Sequence, residues 1–195
     1  MYRLNSLNHP LTMDSYYQFA PLFRVNKPIV VTGRDARDAK RAAQFVTAQT
    51  GLTLSDVDDW FQHHAECTPS EWAKRQGRAA RRNLEGRLLD RALNRQPCGV
   101  IYLDPGAFSA PDLRRVLALK THVMFIERED SSAKSDTLRQ GFLYRFLSRK
   151  TPIDKAKSGA DTVIEAGQLE ALAIAQLIVR KLKSQDGPHL AESAS

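Results

Sequence analysis

The chain has 195 residues, 42% of them hydrophobic and 26% charged, with a formal net charge of +7. That is enough apolar material for one packed domain with short extra ends, and no apolar run approaches the roughly 20 residues that a membrane span requires. The positive balance favours anionic partners, such as nucleotides, phosphorylated metabolites or nucleic acid, without choosing among them.

Residues 1–26 read as an N-terminal extension, polar and broken by Pro10, unlike a signal peptide. Pro28 to Gly33 is a short apolar run stopped by glycine, the mark of a buried strand. Residues 35–50 carry alanines with Phe45 and Val46 at helical spacing, and Gly51 closes them as a C-cap. Leu52 to Ser55 is a second strand. Short helices follow over 59–65 and 70–76. Residues 78–95 form a longer helix with Leu84, Leu88, Leu89, Ala92 and Leu93 on one face. Gly99 to Leu103 is the third strand, and Pro111 opens a helix through Leu117. His122 to Ile126 and Thr162 to Ile164 are the fourth and fifth strands. Residues 168–183 form a last amphipathic helix, and 185–195 read as a disordered tail. Unbroken apolar strands alternating with helices predict a three-layer α/β/α domain over 27–184 with a five-stranded parallel sheet.

In such a sheet, ligands bind beyond the C-terminal ends of the strands. After the first strand, a phosphate loop needs Gly-x-x-x-x-Gly-Lys followed by Ser or Thr. Here Gly33 is present, but Asp38 stands at the second glycine, Ala39 at the lysine and Lys40 at the hydroxyl. An acid about 4 Å from a phosphate costs on the order of 4 kcal/mol at an effective dielectric near 20. Lys40 is one position late, about 100° round the helix from the required direction. Gly33 and Lys40 are therefore candidate nucleotide-binding residues of a degenerate loop. The combined substitutions Asp38→Gly, Ala39→Lys and Lys40→Ser are expected to create nucleotide affinity. After the second strand, Asp56 and Asp58 suit a metal-bound water and a substrate hydroxyl, or simply an acidic helix start.

The stretch Asp56, Asp58, Trp60-Phe61, Glu71, Gly77, Arg82 and Glu85 resembles the shikimate kinase family without a gap. That family shows Asp-Thr-Asp, then Trp-Ile, then Gly-Glu-x-x-Phe-Arg-x-x-Glu. Arg78 replaces the glutamate of the last motif, and Arg81 replaces its phenylalanine. The resemblance implies that Asp56 lies near magnesium, that Asp58 binds substrate hydroxyls as the catalytic base, and that Arg82 holds a substrate carboxylate. The family's Gly-Gly-Gly turn is Asp104-Pro105-Gly106 here, leaving Gly106 as the candidate substrate-binding glycine. Arg149 falls near the family's later substrate-binding arginine. Ala160-Asp161 and the strand after it resemble the last strand region of these small-metabolite kinases.

Three readings follow. The first is a degenerate homologue that phosphorylates nothing and keeps a small anionic or carboxylated ligand, or a partner. The second is an active ATP- and magnesium-dependent kinase of shikimate or a similar hydroxy acid. The third is a nucleic-acid binder using the stripe Arg75, Arg78, Arg82, Arg87, Arg91 and Arg95. That stripe lacks the interleaved aromatics that stack bases, which weighs against the third. Cys67 and Cys98 make neither a disulfide framework nor a metal spacing, so a reducing cytoplasm is the expected compartment.

Overall fold

A computed structural model describes residues 23–128, 151–184 and 191–192. Arg149 and the segment 1–22 lie outside the described residues. The elements in chain order are β1 (Phe23–Arg24), β2 (Ile29–Gly33), α1 (Ala36–Thr50), β3 (Leu54–Asp56), α2 (Val57–Ala65), α3 (Pro69–Gln76) and α4 (Arg78–Leu93). They continue with β4 (Val100–Tyr102), a 3-10 turn (Pro105–Ser109), α5 (Pro111–Lys120), β5 (His122–Glu127), α6 (Pro152–Ser158), β6 (Thr162–Glu165), α7 (Ala171–Lys183) and β7 (Ala191–Glu192).

Strands β3-β4-β2-β5-β6 form one five-stranded sheet in that order, parallel throughout. The expected sheet is therefore borne out. Its central strands β2, β4 and β5 are buried on both faces, which is why they read as continuous apolar runs. Ile29 and Val31 on β2 pack with Ala39, Ala42, Ala43 and Val46 of α1 and Ile174, Ala175 and Ile178 of α7. Val30, between them, faces the other way, toward Phe61 of α2, Leu84 and Leu89 of α4, Phe108 and Leu117. Phe61, Phe108, Phe125 and Leu89 are fully buried, each contributing about 1.5–3 kcal/mol.

The small side chains of α1 let that helix lie close against the sheet. Gly33 does the same at the end of β2: a Cβ there would meet the Ile126 carbonyl oxygen at 2.9 Å. Caps set most helix starts. Asp35 caps α1 and Asp56 caps α2, while Thr68 with Glu71 and Thr151 with Asp154 form capping boxes on α3 and α6. Asp161 accepts the Val123 N–H at 2.7 Å, tying the start of β6 to β5. The Ala160-Asp161 motif thus has a structural use.

Two residues within the segment read as a disordered tail, Ala191 and Glu192, pair antiparallel with Phe23 and Arg24. The Lys183 ammonium lies 4.7 Å from the centre of the Phe23 ring, beside this short ladder. Among the described residues, no helix is long and apolar enough to cross a membrane.

Candidate functional site

The C-terminal ends of the strands carry acids: Asp56 ends β3, Asp104 follows β4 by two residues, and Glu127 ends β5. Their partners divide the edge of the sheet into two parts with different electrostatics.

The first part surrounds the turn after Gly33. A phosphate-wrapping loop would keep the chain open through residue 38. Here α1 begins at Ala36, and Asp35 accepts the Asp38 N–H at 3.0 Å. The chain's own carboxylate therefore takes a helix-terminal N–H that a phosphate could have used. Ala39 is fully buried against the sheet. Asp38, expected to repel phosphate, is instead paired with Arg128 at 2.9 Å, and Arg128 also donates to the Leu169 carbonyl at 2.7 Å. Arg34 pairs with Glu127 Oε1 at 2.7 Å, and Lys157 with Glu127 Oε2 at 3.0 Å. Burial works to raise the Glu127 pKa, but these two cations outweigh it and hold the carboxyl below its ordinary value.

Lys40 leads from this part to the next. Its ammonium lies 2.9 Å from Asp56 Oδ2 and 2.7 Å from Asp59 Oδ1, and 5.9 Å from the centre of the Tyr102 ring. Burial works against its charge, yet the hydrogen bonds to Asp59 and Asp56 raise its pKa overall. Asp56, expected as the magnesium-side carboxylate, thus has a resident cation. Its Oδ1 also accepts the Asp59 N–H at 2.9 Å as the cap of α2.

Asp58 stands one residue into α2 and has no such cation paired with it among the described residues. Burial, then the charges of Asp104, Asp56 and Glu85, push its carboxyl up to about 7, with Lys40 opposing. It is therefore half-protonated near neutral pH, a state suited to exchanging hydrogen bonds with a hydroxyl. Tyr102 is raised as well, by burial and then by Asp58 and Asp104. Asp104 accepts the Gly106 N–H at 2.7 Å, so the glycine left from the family's turn has its donor engaged.

The second part is a cavity of about 450 Å³ between α3, α4, the 3-10 turn and the start of α6. Arg82 and Gly106 both line it. Lys74, Arg78 and Arg81 line it too; of these the sequence pointed only to Arg78, as part of the arginine stripe, and to none as a contact of a small ligand. Arg81 pairs with Glu85 at 2.7 Å, and its guanidinium would lie 3.6 Å from a Cβ on Gly106. The residue standing at the family's phenylalanine is thus built into the site; its i,i+4 spacing to Glu85 was the available signal. Glu85 joins the two clusters, since it lines the cavity and its charge also reaches Asp58.

The arginines of the stripe have different surroundings. Arg78 and Arg82 line the cavity, Arg91 stacks over Trp60 at 5.4 Å, and Arg95 donates to the Leu54 carbonyl.

The family model for shikimate kinase matches residues 40–151, more than half of the chain. The chain belongs to the shikimate kinase family. The matched region opens at Lys40, past the turn that follows Gly33. Solved shikimate kinases share the fold. The enzyme from Acinetobacter baumannii, in complex with shikimate, superposes with a TM-score of 0.60 at 17% identity, over 79% of this chain and 91% of that one. The enzyme from Aquifex aeolicus gives 0.60 at 14%, over 80% and 95%. That from Bacteroides thetaiotaomicron gives 0.57 at 14%, over 80% and 97%. No curated protein matches the chain.

Proposed function

We propose that this chain is a shikimate kinase homologue that has lost ATP-dependent phosphoryl transfer and keeps the acceptor-side cleft for a small carboxylated or otherwise anionic ligand. The observation that carries this reading is the state of the cations around Gly33. Arg34, Lys40, Arg128 and Lys157 are each paired with a carboxylate of the chain itself. A triphosphate would have to break those pairs and displace the Asp35 cap to use these four cations, which leaves exposed Arg37 as the cation of the turn without an ion pair among the described residues.

The donor set does not fit ATP with magnesium. The lysine position is a buried alanine, the hydroxyl position carries an ammonium, and the acid that would face magnesium already holds that ammonium. These residues support no phosphoryl-transfer step. On the acceptor side, Arg82 would hold a carboxylate, and Asp58 would accept or donate hydrogen bonds to a hydroxyl. Arg149 would be a further contact by family register. Partners of this kind are small anions rather than nucleic acid, since the stripe on α4 is divided. A cytoplasmic setting suits two unpaired cysteines.

The test is a thermal-shift panel on the pure protein with magnesium ATP, ADP, shikimate and coenzyme A precursors, alongside a coupled assay for ADP release. A ligand at 100 times its Kd stabilises by about 2.7 kcal/mol, so binding at millimolar concentration is easily read. The proposal expects no shift with ATP and a shift with at least one small hydroxylated anion, whether carboxylate or phosphate ester. Hydroxy-acid-dependent release of ADP would overturn it.

A further inference from the structure

The cavity beside α4 differs from the nucleotide end in one respect. Arg81 is matched by Glu85, but Lys74, Arg78 and Arg82 have no acid within ion-pair distance among the described residues. Three exposed cations with no ion-pair partner among the described residues, of which Lys74 also lies within electrostatic reach of Glu71, thus line one cavity of about 450 Å³, beside a single lining acid that is already engaged.

The start of α4 sharpens the imbalance. Gly77, at φ 89°, caps the helix without a side chain, and no acid lies in the first turn. Arg78 and Arg81 instead put positive charge at the positive end of a 16-residue helix, which is unfavourable unless an anion sits nearby. The one acid among the described lining residues, Glu85, lies two turns along the helix from Arg78. Ser70 of α3 and Ser109 of the 3-10 turn also line it and add hydroxyl donors.

One carboxylate needs one guanidinium. Three cations, two hydroxyls and an open helix start match a group with two negative charges and three acceptor oxygens. We propose that the ligand of this cavity carries a phosphate monoester, held between Arg78, Arg82 and Lys74, rather than a lone carboxylate. The inference rests on the reading of the cleft as a small-anion site and narrows its chemistry. Arg78 and Arg82 are the specificity-determining residues, and a hydroxylated carbon skeleton attached to the phosphate would extend toward Gly106 and Asp58.

The test is isothermal titration at near-physiological salt, where generic surface attraction is screened. The probes are glycerol 3-phosphate and inorganic phosphate, compared with shikimate and glycerate as carboxylate probes. The variants are R78E, R82A and, as a control on α7 with the same charge change as R78E, R180E. Glycerol 3-phosphate is expected to bind at least ten-fold more tightly than glycerate. R78E and R82A should each abolish that preference, and R180E should leave it intact. Equal affinity for the two classes, no binding of either phosphate probe, or equal loss in R180E would overturn the proposal. An ATP titration on the same samples separates the two claims: ATP binding that leaves the phosphomonoester preference in place refutes the proposed loss of kinase function and not this inference. Preferred binding of carboxylates without ATP binding does the reverse.

Discussion

Replacing Lys40 with serine tests whether the acid cluster depends on an internal cation. The substitution restores the hydroxyl expected in a working phosphate loop and removes the ammonium from Asp56 and Asp59. The Asp59 side chain is 57% exposed, so that pair contributes only about 0.2–1 kcal/mol. Asp56 is different: its side chain is 9% exposed, and stranding a buried carboxylate costs about 3–5 kcal/mol when no solvent enters. Lys40 is itself 32% exposed, so water will fill part of the vacated space and the Asp56 contribution falls to about 2 kcal/mol. The expected loss in K40S is about 2–3 kcal/mol at pH 7.5, roughly 5–10 °C in Tm for a chain of this size. Urea unfolding of wild type, K40S, D56N and the double variant gives the coupling directly. Most of the loss should disappear in the D56N background. Magnesium should raise the Tm of K40S and leave wild type unchanged. A loss below about 0.5 kcal/mol, or the same loss with and without Asp56, would refute the assignment of Lys40 as the resident cation.

Asp58 makes a pH prediction. Its folded pKa of about 7 lies above the ordinary 3.8, so between those values the native state holds a proton that the unfolded chain has released. Stability should fall as pH rises through that window and level off above it, by up to about 4 kcal/mol and, after relaxation, roughly half that. D58N should flatten the slope and be more stable than wild type at pH 8, measured by urea unfolding at pH 5 and pH 8. Glu127 behaves in the opposite sense: its folded pKa is depressed, so its contribution is present above about 4.5 and lost as pH falls through the folded value. E127Q should cost about 1–3 kcal/mol at pH 7 and progressively less as pH falls below 4.5, read from thermal melts across that range. The triple loop repair D38G, A39K and K40S should bind no ATP by titration calorimetry, and should lose about 3 kcal/mol or more by placing a lysine in the packed layer under α1. Tight ATP binding by the repaired protein would show that the α1 start yields to the restored loop.

The sequence alone predicts that the same repair creates nucleotide affinity; the helix start at Ala36 opposes it. Residues 35–40 carried two incompatible patterns, a helix start and a degraded phosphate loop. Asp35 lies three residues ahead of the Asp38 N–H that it caps, which is a helix-start signature, and the structure gives the segment to the helix. A substitution table written on the loop register could not reveal that Ala39 is a core residue. The strands were legible because burial on both faces leaves continuous apolar runs, and Gly51 marked the end of α1 through its left-handed conformation. The aspartates at the start of α2, and Arg82 on α4, were legible because their motif is local in sequence. What could not be read were contacts across the sheet edge: Lys40 with Asp56, Arg34 and Lys157 with Glu127, and Arg128 with Asp38. Each joins residues whose proximity is created only by the parallel crossovers, and none leaves a periodic trace. Arg81 was hidden for a different reason, since a cation standing at an aromatic position reads as a loss until its pairing with Glu85 is seen.

The central claim is that the turn after Gly33 is filled by the protein's own charges. Backbone amide shifts of residues 33–40, followed by nitrogen–proton correlation spectra as magnesium ATP is titrated to millimolar concentration, test it most directly. The account predicts that these amides, Asp38 foremost, stay where they are in the free protein. Saturable shifts running through Arg34 to Lys40, with a midpoint that depends on magnesium, would contradict it.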